Sequence, residues 1–253
     1  MLLSGVVGMV TGAGTGIGAS TCEVLASEGA DVFVCGVGAE GLEQTGARVR
    51  ALGRNAYVAE MDVTKRVEVE RTVADAVKAL GSISVLVNNA AIYPERPWHE
   101  ITEESWDEVF AVNVKGAFLC SKAVYPVMKR AGGSIINIAS TSVLQPWEGW
   151  LDYTASKGAI VTLTRGLARE LGPHNIRVNT IAPGSITTKG EADAYHGDEK
   201  AFQTYEERIV DLQCVKRRGV PTDVANAVLF FASPLSSFVS GQLLYVNGGR
   251  TFA

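Results

Sequence analysis

The sequence is poor in the features that mark metalloproteins, disulfide-rich proteins and nucleic-acid-binding proteins. Its three histidines are scattered without metal-ligand spacing, so we expect no structural or catalytic metal. A formal net charge of −4, from 23 basic and 27 acidic residues, gives no electrostatic reason to bind nucleic acid or an anionic membrane. The four cysteines form no CxxC pair, and we expect reduced, mostly buried thiols at Cys22, Cys35, Cys120 and Cys214.

Long apolar runs are also missing. No stretch reaches the length of about 18 apolar residues that a membrane-spanning helix needs. The first residues lack a basic segment followed by an apolar one. We therefore expect a cytoplasmic protein that is neither secreted nor held in a membrane. Its 253 residues favour one large α/β domain, 1–253, over two small ones.

Short apolar runs alternate with helical patterns along the chain. The strand-like runs are apolar throughout, as expected where helices cover both faces of a sheet. This alternation predicts βαβ units with right-handed crossovers, and hence a mainly parallel sheet with helices on both faces. The predicted strands are residues 6–10, 31–35, 56–61, 85–87, 134–139, 177–181 and 243–246. The predicted helices are residues 17–29, 41–52, 65–80, 105–130, 153–171 and 220–232.

One segment, 184–213, is longer than a simple connection and interrupts the alternation. Insertions of this kind often cover a binding cleft. We therefore predict a substrate lid there, within the single domain.

A glycine-rich turn follows the first predicted strand and opens the first predicted helix. It contains Gly12, Gly16 and Gly18. Glycines let the backbone approach a pyrophosphate closely, and the N-terminus of a helix offers free N–H groups and a positive dipole end. A turn that binds nothing is the alternative, but the position between strand and helix favours a dinucleotide-binding site.

Tyr153 and Lys157 are four residues apart at the start of a predicted helix, so their side chains share one face. At roughly 4 Å and an effective dielectric constant of about 20, an ammonium would stabilise a phenolate by about 4 kcal/mol. The pair predicts a tyrosine with a lowered pKa that exchanges a proton near neutral pH. A packed ring beside a solvated lysine is the commoner explanation of such a pair when it occurs alone.

These motifs together resemble those of the short-chain dehydrogenase/reductase family. The glycine turn matches the family's TGxxxGIG motif, and Tyr153-x-x-x-Lys157 matches its active-site signature. Asn89-Ala90 lies in a match to its NNAG motif in which Ala91 replaces the glycine. The similarity extends over essentially the whole chain in the expected order.

The resemblance implies a Rossmann-type doubly wound fold and hydride transfer between a nicotinamide and a carbinol or carbonyl carbon. It implies that Ser140, thirteen residues before Tyr153, holds the substrate oxygen and that Tyr153 transfers the proton. Lys157 would lower the tyrosine pKa and bond the nicotinamide ribose, and Asn113 would hold a water that links Lys157 to solvent. Ser142, two residues beyond Ser140, is the rival for the serine position.

The resemblance also implies the cofactor contacts. These would come from the glycine turn, from the ends of several strands, from the active-site pair and from the segment after the sixth strand. The expected residues are Gly12, Thr15, Gly16, Ile17, Gly18, Gly36, Val37, Asp62, Val63, Asn89, Ala90, Tyr153, Lys157, Pro183, Gly184, Ile186 and Thr188.

The choice between NAD and NADP stays open from the sequence. A carboxylate at the end of the second strand would accept from the ribose 2′-hydroxyl and repel a 2′-phosphate, whereas an arginine would attract the phosphate. Gly36 occupies that position and Val37 follows it, so neither charge is present. Thr15 lies where NADP-preferring relatives often carry a base.

The expected substrate residues are mostly aromatic: Tyr93, Ser142, Trp147, Trp150 and Tyr195. They favour a hydrophobic or aromatic secondary alcohol or ketone, although the tryptophans could instead pack the lid or a subunit contact. A sugar or polyol dehydrogenase of the same family is the alternative. A non-catalytic dinucleotide-binding regulator, or another Rossmann enzyme such as an epimerase, fits less well. The family resemblance implies a homo-oligomer, a tetramer or a dimer.

Overall fold

Seven strands form one parallel sheet in a computed structural model that describes residues 1–188 and 198–252. The order across the sheet is β3-β2-β1-β4-β5-β6-β7, which confirms the predicted seven-stranded Rossmann-type sheet. Because the order reverses between β1 and β4, a crevice opens there at the carboxyl ends of the strands. The strands are β1 (Val7–Thr11), β2 (Asp31–Gly36), β3 (Ala56–Glu60), β4 (Val85–Asn88), β5 (Gly133–Ile138), β6 (Ile176–Pro183) and β7 (Leu243–Val246).

Helices cover both faces of the sheet. One face carries α1, α2 and α8, and the other carries α3 to α6. The helices of the described residues are α1 (Gly16–Ser27), α2 (Ala39–Ala51), α3 (Arg66–Leu80), α4 (Glu103–Phe110), α5 (Gly116–Ala131), α6 (Leu151–Leu171), α7 (Glu199–Asp211) and α8 (Pro221–Ala232).

Two apolar cores explain why the strand sequences are apolar throughout. Met9 and Val10 are adjacent in β1 and both are fully buried, but they point to opposite faces of the sheet. Val10 packs in the core that contains Phe231 of α8, and Met9 packs in the core that contains Met128 of α5. Burial on both faces also holds the strand ends of the crevice in fixed positions.

The predicted helix at residues 105–130 is two helices. A π-helical turn, Ala111–Lys115, separates α4 from α5. The extra residue in this turn places the buried Asn113 inward, where its side chain binds the backbone of Ile92. Turns of this type often occur at functional sites.

The segment predicted as a lid is described only in part. Residues 189–197 lie outside the described residues, and α7 occupies much of the remainder. Ile186 pairs with Gly219 as an isolated parallel bridge, so the two ends of the segment meet beside the sheet. The function of the segment as a lid stays a prediction.

Two further findings concern the membrane and metal expectations. None of the helices in residues 1–188 and 198–252 is long and apolar enough to span a membrane. The same residues contain no group of three or more His, Cys, Asp or Glu side chains that could hold a metal ion. All four cysteines are free thiols, three of them buried and Cys214 exposed.

Candidate active site

The glycine turn joins β1 to α1 by a close approach of backbone to backbone. Gly12 and Gly16 have φ angles of +63° and +53°, which lie in the left-handed region that glycine adopts most readily. A Cβ on Gly12 would lie 2.9 Å from the Cα of Ala90, and one on Gly18 would clash with the carbonyl oxygen of Gly12. Packing within the protein therefore requires glycine at both Gly12 and Gly18.

Asn89 braces this turn from the end of β4. Its Nδ2 donates to the carbonyl oxygens of Thr11 and Gly12, each at 3.0 Å. The backbone N–H groups of Asn89 and Ala90 donate to Thr11 Oγ1 at 3.0 and 3.1 Å. These bonds hold the shape of the turn, so Asn89 and Ala90 support the site even without touching a cofactor. A direct contact of either residue with a cofactor stays a prediction.

The N-terminus of α1 fits a diphosphate. Within the described residues, no side chain caps the helix at Thr15, and the first turn carries no acidic residue. The N–H groups of the first turn, including those of Gly16 and Ile17, are left for an anion. Beside the turn lies a cavity of about 420 Å³ that Gly14, Thr15, Gly16, Thr187 and Thr188 help to line.

The segment after β6 closes on the glycine turn from the other side. A Cβ on Gly16 would lie 3.4 Å from the Thr188 methyl group, which places Thr188 beside the phosphate-binding turn. Pro183 ends β6, and a Cβ on Gly184 would lie 2.9 Å from the backbone of Asn247. The side chain of Ile186 is buried in the core, so only its backbone could serve a cofactor.

The ends of β2 and β3 form the part of the crevice where the adenosine is expected. Val37 is 77% exposed, and Val63 is buried against Gly116, so Val63 can offer only backbone. Asp62 Oδ1 accepts from the Thr64 N–H and hydroxyl at 2.9 and 2.8 Å. Burial opposes ionisation, but these bonds and Lys65 lower the pKa of Asp62 below its usual value, so it is an anion.

Sequence reasoning missed a carboxylate beside Gly36. Gly36 of β2 pairs in register with Glu60 of β3. Glu60 Oε1 accepts a hydrogen bond of 3.2 Å from the N–H of Gly38, in the turn that follows β2. The end of β2 has no charged residue of its own, but Glu60 at the end of β3 places a carboxylate beside it. Only the register of β2 against β3 shows that Glu60 lies beside Gly36, and sequence patterns do not supply that register.

Ser140, Tyr153 and Lys157 come together at the carboxyl end of β5. Ser140 follows the strand, and the other two residues lie in the first turns of α6. The side chain of Ser140 interacts with the Tyr153 hydroxyl and lowers its pKa, against the larger effect of burial. Lys157 Nζ donates to the carbonyl oxygen of Ile138 at 2.8 Å and lies 5.6 Å from the centroid of the Tyr153 ring.

The predicted lowering of the Tyr153 pKa is wrong for this arrangement of protein groups. Burial raises the pKa of Tyr153 from 10.0 to about 12, and the hydrogen bond to Ser140 offsets only part of this increase. Burial also lowers the pKa of Lys157 from 10.5 to about 8. The ammonium faces a backbone carbonyl and is itself disfavoured by burial, so desolvation outweighs the attraction that the spacing predicted.

Asn113 lies in the π-helical turn and is 2% exposed. Its Oδ1 accepts from the Ile92 N–H at 2.8 Å, and its Nδ2 donates to the Ile92 carbonyl at 2.9 Å and to Ser156 Oγ at 3.0 Å. Ser156 in turn donates to the Tyr153 carbonyl at 2.6 Å. Asn113 thus links the segment after β4 to the start of α6. Ser156 is a member of this network that the motifs did not indicate.

Ser142, the rival for the serine position, lies in a turn after β5 and not on an extended strand. Ser140 Oγ accepts the N–H of Ser142 at 3.1 Å and caps a 3-10 turn, Thr141–Val143. The chain therefore bends away from the strand direction, and Ser142 is 2% exposed. Ser140 is the serine that lowers the pKa of Tyr153, against the larger effect of burial.

Two aromatic rings pack around the ring of Tyr153. Tyr93 and Trp150 lie 6.0 and 5.7 Å from Tyr153, measured between ring centroids, and 6.2 Å from each other. Trp147 instead lies under the guanidinium of Arg250, at 4.5 Å. The fifth expected substrate residue, Tyr195, lies outside the described residues.

The sheet order, the uncapped helix after a glycine turn and the crevice between β1 and β4 define a Rossmann-type dinucleotide-binding protein. A family model described as enoyl-(acyl carrier protein) reductase matches residues 12–251. Short-chain reductase protein NovJ of Streptomyces niveus is 40% identical over 248 residues, covering 96% of this chain and 93% of NovJ.

Two further comparisons agree. The protein named "Probable galactose dehydrogenase GalD" of Rhizobium meliloti is 38% identical over 244 residues, covering 95% of this chain and 93% of GalD. The crystal structure of levodione reductase superposes with a TM-score of 0.91 at 31% identity, covering 98% of each chain. The chain belongs to the short-chain dehydrogenase/reductase family and is an oxidoreductase. Members of this family use NAD or NADP.

Proposed function

We propose that this protein interconverts a secondary alcohol and a ketone on a hydrophobic or aromatic small molecule, with NAD or NADP as cofactor. The observation that carries the proposal is the convergence of Ser140, Tyr153 and Lys157 at the carboxyl ends of the strands. The rings of Tyr93 and Trp150 pack against the ring of Tyr153. Such a site can hold a substrate oxygen and move a proton to or from it.

The bound nicotinamide would accept a hydride from the carbinol carbon in oxidation and return one to the carbonyl carbon in reduction. Ser140 would hold the substrate oxygen, and Tyr153 would take the hydroxyl proton in oxidation or supply it in reduction. Because burial raises the pKa of Tyr153 to about 12, the tyrosine is protonated at neutral pH. In this state the tyrosine is ready to donate a proton to a ketone oxygen.

Lys157 and Asn113 would act through the tyrosine. The ammonium of Lys157 is fixed on the Ile138 carbonyl, within reach of a ribose hydroxyl in the same crevice. Asn113 holds Ile92 and Ser156 in place, which positions the first turn of α6 and hence Tyr153. The proposal also includes a water molecule that Asn113 would hold and that would link Lys157 to solvent.

The cofactor would lie with its diphosphate on the first turn of α1 and its nicotinamide near the end of β6. The uncapped N-terminus of α1 and the closure of Thr188 on Gly16 support this placement. The remaining contacts would come from the backbone of Val63 and Ile186, from the side chain of Asp62 and from Gly184.

The substrate class rests on the aromatic lining of the site. Tyr93 is 53% exposed beside the Tyr153 ring, which leaves an apolar surface for a ligand. The reductases among the relatives, NovJ and levodione reductase, support a ketone substrate. The relative GalD favours a sugar or polyol as the second candidate.

The proposal covers the whole chain as one catalytic domain, with residues 184–213 as a lid over the substrate. It also includes a homo-oligomer, as the family resemblance implies, and Phe118 on α5, which is 43% exposed, offers an apolar contact for it. Light scattering would give the mass of the particle, and a monomer at micromolar concentration would reject this part.

The test is a panel of apolar and aromatic ketones, the matching alcohols, and free sugars and polyols, each assayed with NAD and with NADP. We expect turnover of apolar ketones with at least one cofactor, read from nicotinamide absorbance. A clear preference for sugars would replace the first candidate by the second. Purified protein that binds neither cofactor, measured by calorimetry, would end the proposal.

A further inference from the structure

Arg250 follows β7 and places its guanidinium at the carboxyl ends of three strands. Its Nη1 donates to Ser185 Oγ, just after β6, at 3.1 Å. Its Cζ lies 4.5 Å from the ring centroid of Trp147, in the loop between β5 and α6. Ligands of parallel α/β sheets bind at this edge. The guanidinium is therefore held on the substrate side of the molecule by one hydrogen bond and one cation–π contact.

No anion among the described residues matches the positive charge of Arg250. Within residues 1–188 and 198–252, no carboxylate pairs with it. Burial lowers its pKa below the usual 12.5; the nearby Tyr205 opposes this, and the positive charge of Arg208 acts in the same direction as burial. By contrast, Arg217 forms two bonds of 2.7 Å with Asp223. Two guanidiniums near each other without a carboxylate are unfavourable unless an anion joins them.

One edge of the Arg250 guanidinium has no hydrogen-bond partner among the described residues. Nε is buried and, among the described residues, has no hydrogen-bond partner. Nη1 is bonded to Ser185, so Nε and Nη2 form the remaining edge of the planar fork. A buried donor without an acceptor is unfavourable. An acceptor with two parallel oxygens would satisfy this edge, after a small rotation of the enclosed side chain.

The loop between β5 and α6 carries an aromatic ring at each of the two places, beside Arg250 and beside Tyr153. Trp147, under Arg250, and Trp150, 5.7 Å from Tyr153 between ring centroids, lie on the same short loop. A ligand with its ketone at Tyr153 would pass along these rings, and a negatively charged end would meet Arg250.

We propose that Arg250 binds a carboxylate at the far end of the substrate, so that the substrate is an oxo acid or the corresponding hydroxy acid with an apolar middle. This inference rests on the proposed alcohol–ketone chemistry and adds the charged group to it. The carboxylate is unchanged in the reaction and serves only to bind and orient the substrate. The Nε–Nη2 edge is planar and offers two parallel donors, which match the two oxygens of a carboxylate; a phosphate could use the same edge, and the experiment below compares the two.

The experiment compares acids with their neutral esters. Oxo acids of graded length, each with its methyl ester, are reduced by the wild-type protein and by the Arg250→Gln and Arg250→Lys variants. We expect the wild type to prefer one acid over its ester in kcat/KM. Arg250→Gln should raise KM for that acid roughly tenfold to a hundredfold and reduce the preference for the acid. Arg250→Lys should keep part of the preference, because the charge remains but the fork is lost.

Arg217→Gln is the matched control, since it removes the same charge from an arginine that already has a carboxylate partner; the ratio of acid to ester should not change. If Arg250→Gln lowers activity on acid and ester equally, Arg250 only fixes the Trp147 loop and the inference is overturned. A phosphorylated ketone used better than every acid would also overturn it.

Calorimetry of the same acids and esters with the dinucleotide-saturated protein separates this inference from the proposed function. Binding that is selective for acids and lost in Arg250→Gln, without turnover of any ketone, would reject the chemistry and retain the carboxylate site. Turnover of ketones without selectivity for acids in binding or in kinetics would retain the chemistry and reject the carboxylate site.

Discussion

At the scale of single residues, the site depends on how burial acts on two titratable groups. Tyr153 and Lys157 both lose hydration, and each is driven toward its neutral form. The tyrosine keeps its proton and stays bonded to Ser140, and the lysine is held by the Ile138 carbonyl. This arrangement supports a proton donor at neutral pH, whereas the spacing of the two residues suggested a phenolate.

Replacing Tyr153 by Phe should abolish turnover and leave dinucleotide binding intact, because the ring still packs while the proton carrier is lost. We expect kcat to fall by at least about 10²-fold. Steady-state assays give kcat, and calorimetry gives the dissociation constant of the cofactor. A Tyr153→Phe protein that retains wild-type kcat would show that another group moves the proton.

Ser140→Ala and Ser142→Ala form a matched pair of variants. Ser140 bonds the tyrosine, so its loss should lower kcat by about tenfold to a hundredfold, as expected for a hydrogen bond to a reacting group. Ser142 Oγ is buried without a hydrogen-bond partner among the described residues, and its loss should leave kcat nearly unchanged. Equal losses of kcat in both variants would contradict the assignment of Ser140.

At the scale of secondary-structure elements, the ends of neighbouring strands combine into one surface. The glycine turn after β1 is braced by Asn89 from the end of β4, and the turn after β2 is bonded by Glu60 from the end of β3. The π-helical turn between α4 and α5 reaches Ile92 through Asn113. Each of these contacts joins elements that are distant in sequence.

The carboxylate of Glu60 should make the protein prefer NAD to NADP, because it lies beside the turn where a 2′-phosphate would bind. Glu40 in the first turn of α2 adds a second negative charge nearby. We expect Glu60→Gln to improve the dissociation constant of NADP relative to that of NAD by about threefold to tenfold, since exposed charges are partly screened.

Fluorescence titration of both reduced cofactors would measure this ratio. Glu70→Gln is the control, because Glu70 is an exposed acid paired with Arg66 on α3. A wild-type protein that binds NADP more tightly than NAD would show that Glu60 does not select the cofactor.

At the scale of the whole molecule, two apolar cores hold the strand ends rigid, and the buried site groups lower the stability that the cores provide. The pKa of Lys157 is about 8 in the folded protein and near 10.5 in the unfolded chain. Between these pH values the unfolded state binds more protons, so the free energy of unfolding should rise with pH. From about pH 8 upward the buried thiols of Cys22, Cys35 and Cys120, whose pKa values are raised by burial, act in the opposite direction, because these thiols already lose protons in the unfolded chain.

The clear comparison for Lys157 is between the wild type and Lys157→Met from pH 8 to 9. Lys157 should add about 1 kcal/mol to the free energy of unfolding across this window, so the free energy of unfolding should fall by about 1 kcal/mol more in Lys157→Met than in the wild type. Urea denaturation at several pH values would measure both slopes. The same slope in wild type and variant would mean that Lys157 is not desolvated in the folded protein.

The sequence by itself determined the strand and helix alternation, the seven-stranded parallel sheet and the motifs that place the chain in its family. These features were predictable because apolar runs, glycine turns and the spacing of Tyr153 and Lys157 are local patterns along one chain. The site roles that those motifs imply remain predictions that the variants above test.

Only the tertiary structure decided how these groups act on one another. The pairing of Glu60 with the turn after β2, the contact of Arg250 with Trp147 and the partners of Asn113 depend on strand register and on packing between distant segments. The direction in which the pKa of Tyr153 shifts depends on burial. Burial raises this pKa, whereas the neighbouring Lys157 was expected to lower it. Local patterns fix which side chains are near in sequence, whereas desolvation and long-range contacts arise only when the sheet assembles.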